Sequence, residues 1–233
     1  MSDSAINHTT SRPVLDGGAL DRAIDEARAE LAALLGAPAG GEPSRLTEAR
    51  ARLGSLLDRR VALAAARLDD QDARAVAAAR ADRNEAIAVT GALLYWLPVG
   101  DTAWPEVALT LGRLSYDRYT DPWPGAEPPD PDDLDAACDL LLRGARYDDA
   151  DERTTLYLFL ALRDRQHLMA CPGDARALMT WGERLMAFPE AGGLGRSGLH
   201  DMLELELLNR AGVPGGSRAP SGVRPAGLAA AFV

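Results

Sequence analysis

Two short patterns alternate along this chain, and neither can fold by itself. The first reads Leu-Gly-x-Leu-x-x-x-Arg. It occurs as Leu53-Gly54-Ser55-Leu56 to Arg60 and as Leu111-Gly112-Arg113-Leu114 to Arg118. A weaker copy runs from Leu158-Phe159-Leu160-Ala161 to Arg165. The second is a helix opening built on aspartate and alanine. It appears at Leu20-Asp21-Arg22-Ala23-Ile24, at Asp82 to Ile87, at Asp133 to Cys138 and at Gly173 to Leu178. With the first pattern labelled A and the second B, the order is B, A-B, A-B, A-B and a closing helix. A single helix pair cannot bury its apolar face, so such pairs stack and share one continuous core. Gly54, Gly112, Ala23, Ala86 and Ala137 are small enough for neighbouring helices to approach closely at those points.

Apolar periodicity places the helices around these patterns. Leu20, Ile24, Ala27, Leu31, Leu34 and Leu35 recur at helical spacing, with Asp16 as N-cap. Residues 36–43 break that helix. Ser44 opens the next, which the pattern allows to run to Leu68. A third helix spans Ala73 to Leu97. A fourth starts at Trp104-Pro105, with Thr102 as cap. The stretch 121–131 carries Pro122 and further prolines, so it is neither helix nor central strand. A fifth helix is capped by Asp132 or Asp133, a sixth follows Asp148-Asp149, and a seventh opens at Asp174 and ends before Pro189. A last one, from Ser197 or Asp201 through Leu208, brings the expected count to about eight. The expected organisation is a disordered leader over 1–17, a helical repeat domain over 18–211 and a disordered tail over 212–233.

Composition agrees with an all-α fold. Hydrophobic residues make up 47% of the 233 residues and aromatics 5%, so alanine and leucine dominate and strand-preferring side chains are scarce. The net charge of −10 argues against a nucleic-acid partner, which calls for a basic patch, and against an anionic membrane surface. Two cysteines are too few for a disulfide framework. Residues 1–12 hold no hydrophobic signal segment, and no stretch approaches the ~20 apolar residues of a membrane span. The expected location is the cytoplasm.

Leu111 to Leu142, with Arg118-Tyr119 followed by Asp133-Leu134-Asp135, resembles the degenerate tetratricopeptide-type repeats of actinobacterial multi-repeat proteins. In that family the repeats often precede a caspase-like CHAT protease domain. The resemblance extends over residues 18–188. It implies an array of helix pairs, either a regular α-solenoid or an irregular bundle, acting as a scaffold for another protein or for self-association. The family repeats every ~34 residues. Here Ala23, Ala86, Ala137 and Ala177 follow one another at intervals of 63, 51 and 40 residues.

Few residues suggest chemistry. Tyr116, Arg118 and Tyr119, with Arg165 one repeat later, form a candidate binding set: either they line a groove for an extended peptide or they tie each A helix to the next loop. Trp123 is either an interface anchor or the lid of its own loop. Asp148-Asp149-Ala150-Asp151-Glu152 has the spacing of a magnesium-diphosphate motif, which would make the chain an all-α enzyme for a phosphorylated or isoprenoid substrate. The bland alternative is a helix start whose acids complement the dipole. His8, His167 and His200 lack metal-ligand spacing, and neither Cys138 nor Cys171 has the setting of a nucleophile. No cofactor is expected, and no catalytic residue is assigned.

Overall fold

The computed structural model describes residues 17–37, 43–66, 73–98, 100–121, 123, 125–147, 150–169, 171 and 173–188. These residues form seven helices: α1 (Gly17–Leu35), α2 (Pro43–Ala65), α3 (Ala73–Trp96), α4 (Trp104–Thr120), α5 (Pro131–Gly144), α6 (Glu152–Met169) and α7 (Asp174–Met186). No strand occurs among the described residues, and the architecture is an all-α helical array. Gly17, expected to end the leader, opens α1; residues 1–16, the tail, the cap expected at Asp16 and the eighth helix expected near 197–208 lie outside the described residues. No described helix is long and apolar enough to cross a membrane.

Each helix packs chiefly against its neighbours in sequence, and α4 also packs against α6. The tightest pairs are α2 with α3 and α4 with α5, so the A and B patterns do mark the two helices of a pair. The core is divided into clusters along the array. Leu20 and Ile24 of α1, Leu53 and Leu57 of α2, Ala86 of α3 and Leu114 of α4 form one buried cluster. Leu109 and Tyr116, also on α4, belong to a second cluster with Leu134, Cys138, Leu141, Leu156, Phe159, Leu162, Leu178 and Leu185. Helix α4 therefore serves both halves, because two of its faces are apolar.

The motif glycines mark the closest approaches. A Cβ on Gly112 would lie 2.7 Å from Leu141 Cγ and 3.1 Å from the Leu141 backbone nitrogen. Three residues away the arrangement is reversed: a Cβ on Gly144 would lie 2.6 Å from Leu109 Cγ and 3.1 Å from the Pro105 carbonyl. Leucine on each helix thus fills the notch left by glycine on the other. Such interlocking lets α4 and α5 bury backbone as well as side chains. In the third pair the sizes switch sides. Buried Phe159 stands at the position of Gly54 and Gly112, and the buried Gly182 of α7 stands at that of Thr90 and Leu141.

Helix starts differ from expectation in two places. Helix α5 is capped by Asp130, whose carboxylate accepts from the Asp132 backbone N–H at 3.0 Å, with Pro131 in the first turn. Proline has no N–H to be capped and prefers the first helical position, which moves the cap one residue upstream of it. Helix α4 begins without a side-chain cap from Thr102. Instead the Asp101 carboxylate accepts from the Ala103 N–H at 2.8 Å, and Ala103 precedes the first turn. Helix α2 ends at Ala65, short of Leu68.

Candidate functional site

The arginine that closes each A pattern is bound by the aspartate that opens the next B pattern. Arg60 donates from Nε to Asp82 Oδ2 at 2.5 Å, and its Nη2 pairs with Asp82 Oδ1. Arg118 donates from Nε to Asp133 Oδ2 at 2.7 Å, and its Nη2 pairs with Oδ1. Arg165 donates to both oxygens of Asp174, at 2.7 and 2.8 Å. All three are two-point clamps, the geometry that suits a planar guanidinium on a carboxylate. The partners are 22, 15 and 9 residues apart, so the clamp persists while the connection shortens. Two of the arginines also reach the preceding B helix: Arg60 donates to Asp21 at 3.0 Å, and Arg165 to Asp135 at 3.1 Å and Asp139 at 3.3 Å.

Of the candidate binding residues, Arg165 is therefore held inside the fold, whereas Arg118 is tied to Asp133 with its side chain 38% exposed. Burial opposes the charge of Arg165, yet its bonds to Asp174 and Asp135 hold its pKa well above the usual arginine value. Tyr116 is 2% exposed, and its hydroxyl donates to Asp164 Oδ2 at 2.7 Å. Burial, then the Asp164 charge, push its pKa well up. Tyr119 lies half-buried on the core, its ring 6.2 Å from that of Tyr116.

Trp123 closes its own loop. It is 2% exposed and packs with Val61, Ala65, Val76 and Ala79. The Arg83 guanidinium lies 5.1 Å from the centre of its ring, Arg80 donates to its carbonyl at 3.1 Å, and Asp121 accepts from its N–H at 3.1 Å. Asp121 also takes hydrogen bonds from Arg80 at 2.9 Å and Arg83 at 2.8 Å. These bonds outweigh its burial and hold its carboxyl below the usual range. The proline-rich segment is thus tied to α3 through the partly exposed Arg80 and the buried Arg83.

A second polar cluster lies where α4 meets α6. The Tyr157 hydroxyl donates to Asp117 Oδ1 at 2.9 Å, and the Arg153 guanidinium lies 5.8 Å from the Tyr157 ring centre. Burial pushes the Asp117 carboxyl up to about 6, against the pull of the Tyr157 hydrogen bond. Asp58 of α2 adds to the rise, while Arg153 and Arg83 oppose it. Nearby, Glu106, Leu109, Thr110 and Arg113 face Ala150, Asp151 and Thr154 across a shallow cleft.

In the acidic run, Asp151 serves as a helix cap: its carboxylate accepts from the Thr154 N–H at 2.7 Å. Asp148 and Asp149 lie outside the described residues. Among the described residues no three His, Cys, Asp or Glu side chains gather as a metal site would require.

The side chains left facing water lie elsewhere. Tyr95 is 81% exposed and Trp96 65%, with the rings edge to face at 5.4 Å. Tyr147 is 63% exposed and meets buried Trp104 edge to face at 6.1 Å. The first pair closes α3, and the second joins the start of α4 to the turn after α5, in the middle of the array. Gly91, one turn before Tyr95, faces Leu111 of α4, and Gly144, one turn before Tyr147, faces Pro105. The sequence reading missed Tyr95, Trp96 and Tyr147. The available signal was the buried stripe of α3, Ala86, Thr90 and Leu93, whose continuation at helical spacing passes over both Tyr95 and Trp96.

Fold and surface define an all-α array of clamped helix pairs with exposed aromatic side chains. Compared with known proteins, the chain matches no family model, no curated protein and no solved structure.

Proposed function

We propose that this chain is a protein-interaction scaffold of tetratricopeptide-like helix pairs, acting in the cytoplasm, that carries out no catalysis itself. Its partner is another protein or a second copy of the chain. The supporting observation is the exposed pair Tyr95 and Trp96. The chain has only four tryptophans and five tyrosines, and its interior is built largely from leucine and alanine. Two of its scarce large rings nevertheless stand in water, where exposed apolar area commonly marks a binding surface. Tryptophan and tyrosine are also the side chains that most often anchor protein interfaces. The net charge of −10 disfavours nucleic acid and anionic lipid as partners.

Affinity capture from native lysate, together with the chain's mass in solution, tests this reading. The expected result is a stoichiometric partner or a defined homo-oligomer that the Tyr95→Ala/Trp96→Ala variant loses. A wild-type monomer that captures no partner would overturn it.

A further inference from the structure

We infer that Asp117 is a pH-sensitive joint in the array: with its carboxyl neutral the α2–α3 pair seats against α4, and with the carboxyl ionised that pair swings away. The packing is the first ground. Helices α2 and α3 pack together tightly, as do α4 and α5, while α3 meets α4 more loosely. Rearrangement therefore costs least between the pairs. Asp117 lies at that looser junction, and three other helices converge on it. Its carboxylate accepts from the Tyr157 hydroxyl of α6 at 2.9 Å. Its backbone carbonyl accepts from Nη1 of buried Arg83, on α3, at 2.9 Å. Helix α2 shares the cluster of Leu57 and Leu114 with α4, and its Asp58 is near enough for its charge to act on both Asp117 and Arg153 of α6.

The second ground is how the surrounding charges are committed. Arg83 gives Nη2 to Asp121 at 2.8 Å besides its bond to the Asp117 carbonyl. Asp121, one turn after Asp117, is held by Arg80 as well. Arg113, one turn before, donates to Thr110 at 3.3 Å. On α5, Asp133 is taken up by Arg118. An ionised Asp117 is then repelled by Asp58 on α2 and attracted by Arg153 on α6, so the force differs in sign toward the two sides of α4. Swinging α2 away separates the two carboxylates and brings water to Asp117. The neutral carboxyl lacks that repulsion and favours the seated arrangement. A proton that binds one arrangement better than the other shifts the balance between them. Burial pushes the carboxyl up to about 6, which places the change near neutral pH.

The test measures distances between nitroxide labels on the full chain by double electron–electron resonance. Cys171→Ser removes the accessible thiol, and buried Cys138 stays. Labels go on Ser55→Cys of α2 and Glu183→Cys of α7, both exposed positions. A control pair, Ser55→Cys with Ala77→Cys of α3, lies within the α2–α3 pair. Between about pH 5 and about pH 7.5 the first distance should lengthen by about 2 Å or more, and the control should stay fixed. Asp117→Asn, which cannot ionise, should keep the short distance at both pH values. Asp58→Asn, which keeps the Asp117 titration but removes the repulsion, should shrink the shift. Circular dichroism at each pH will show that the variants are folded. No lengthening in the parent chain overturns the inference. So does an equal change in the control pair, or a full shift retained by either Asp117→Asn or Asp58→Asn.

Discussion

Arg165 and Asp174 close the turn between α6 and α7 with two parallel hydrogen bonds, and their side chains are only 9% and 6% exposed. The pair is the shortest-range member of a set whose other members, Arg60–Asp82 and Arg118–Asp133, span longer connections. A buried pair of this kind is far costlier to break than to replace. Removing one partner strands a charge away from water, whereas removing both leaves no such debt.

Arg165→Met is accordingly expected to lower stability by about 3–5 kcal/mol in urea unfolding, because it leaves the 6% exposed Asp174 carboxylate without its guanidinium. Exchanging both members for apolar side chains, Arg165→Met with Asp174→Leu, should recover most of that loss. Glu30→Ala provides the contrast. Its partner Arg52 sits 3.1 Å away, but the two side chains are 51% and 42% exposed. Its loss should cost less than about 1 kcal/mol. Equal costs for the two single variants would show that burial does not set the strength of the clamp.

Gly112→Ala should destabilise by about 1–3 kcal/mol, because the new methyl would press on Leu141 side chain and backbone together. Gly54→Ala should cost less. Its Cβ would meet the Thr90 hydroxyl at 2.9 Å with no backbone atom close by, and a side chain can give way. Thermal unfolding of the two variants side by side tests the ordering.

Asp117 should make the chain less stable as pH rises. Its carboxyl is pushed up to about 6 by burial, from an ordinary value of 3.8. Between those values the folded state holds a proton that the unfolded chain has released. Stability from this group therefore falls as pH climbs from 3.8 to about 6, and is level above that. Asp117→Asn keeps an acceptor for the Tyr157 hydroxyl and removes the charge. It should stabilise by about 1 kcal/mol or more at neutral pH and have little effect near pH 4. Urea midpoints at the two pH values decide it, and an equal effect at both would rule out titration as the cause.

Trp96 is the exposed tryptophan: Trp104 and Trp123 are 6% and 2% exposed, and Trp181 is partly buried with Arg184 over its ring. Collisional quenching should therefore act chiefly on Trp96, and Trp96→Phe should remove most of it. Equal acrylamide quenching of the wild type and Trp96→Phe would show that Trp96 is not the accessible ring.

Much of the architecture was legible along the chain. Apolar spacing located all seven described helices, since a helix must turn one face to the core and that face recurs every three to four residues. The A and B patterns were legible too, but not that Arg60, Arg118 and Arg165 end on Asp82, Asp133 and Asp174. Connections of different length conceal a fixed spatial pairing. The cap of α5 went to Asp130 because Pro131 outweighed the acids that follow it.

Sequence alone determined that this chain is helical, that its helices pair, and that its net charge is −10. These properties follow from side-chain size, periodicity and charge, which act locally or simply add. Tertiary structure alone decided which polar residues face water. It drew Tyr116, Trp123 and Arg165 inward onto partners, tied the partly exposed Arg118 to Asp133, and left Tyr95, Trp96 and Tyr147 outside. An arginine or an aromatic ring is amphipathic, so its fate depends on what the neighbouring helix brings within reach, and that is settled only once the helices have packed.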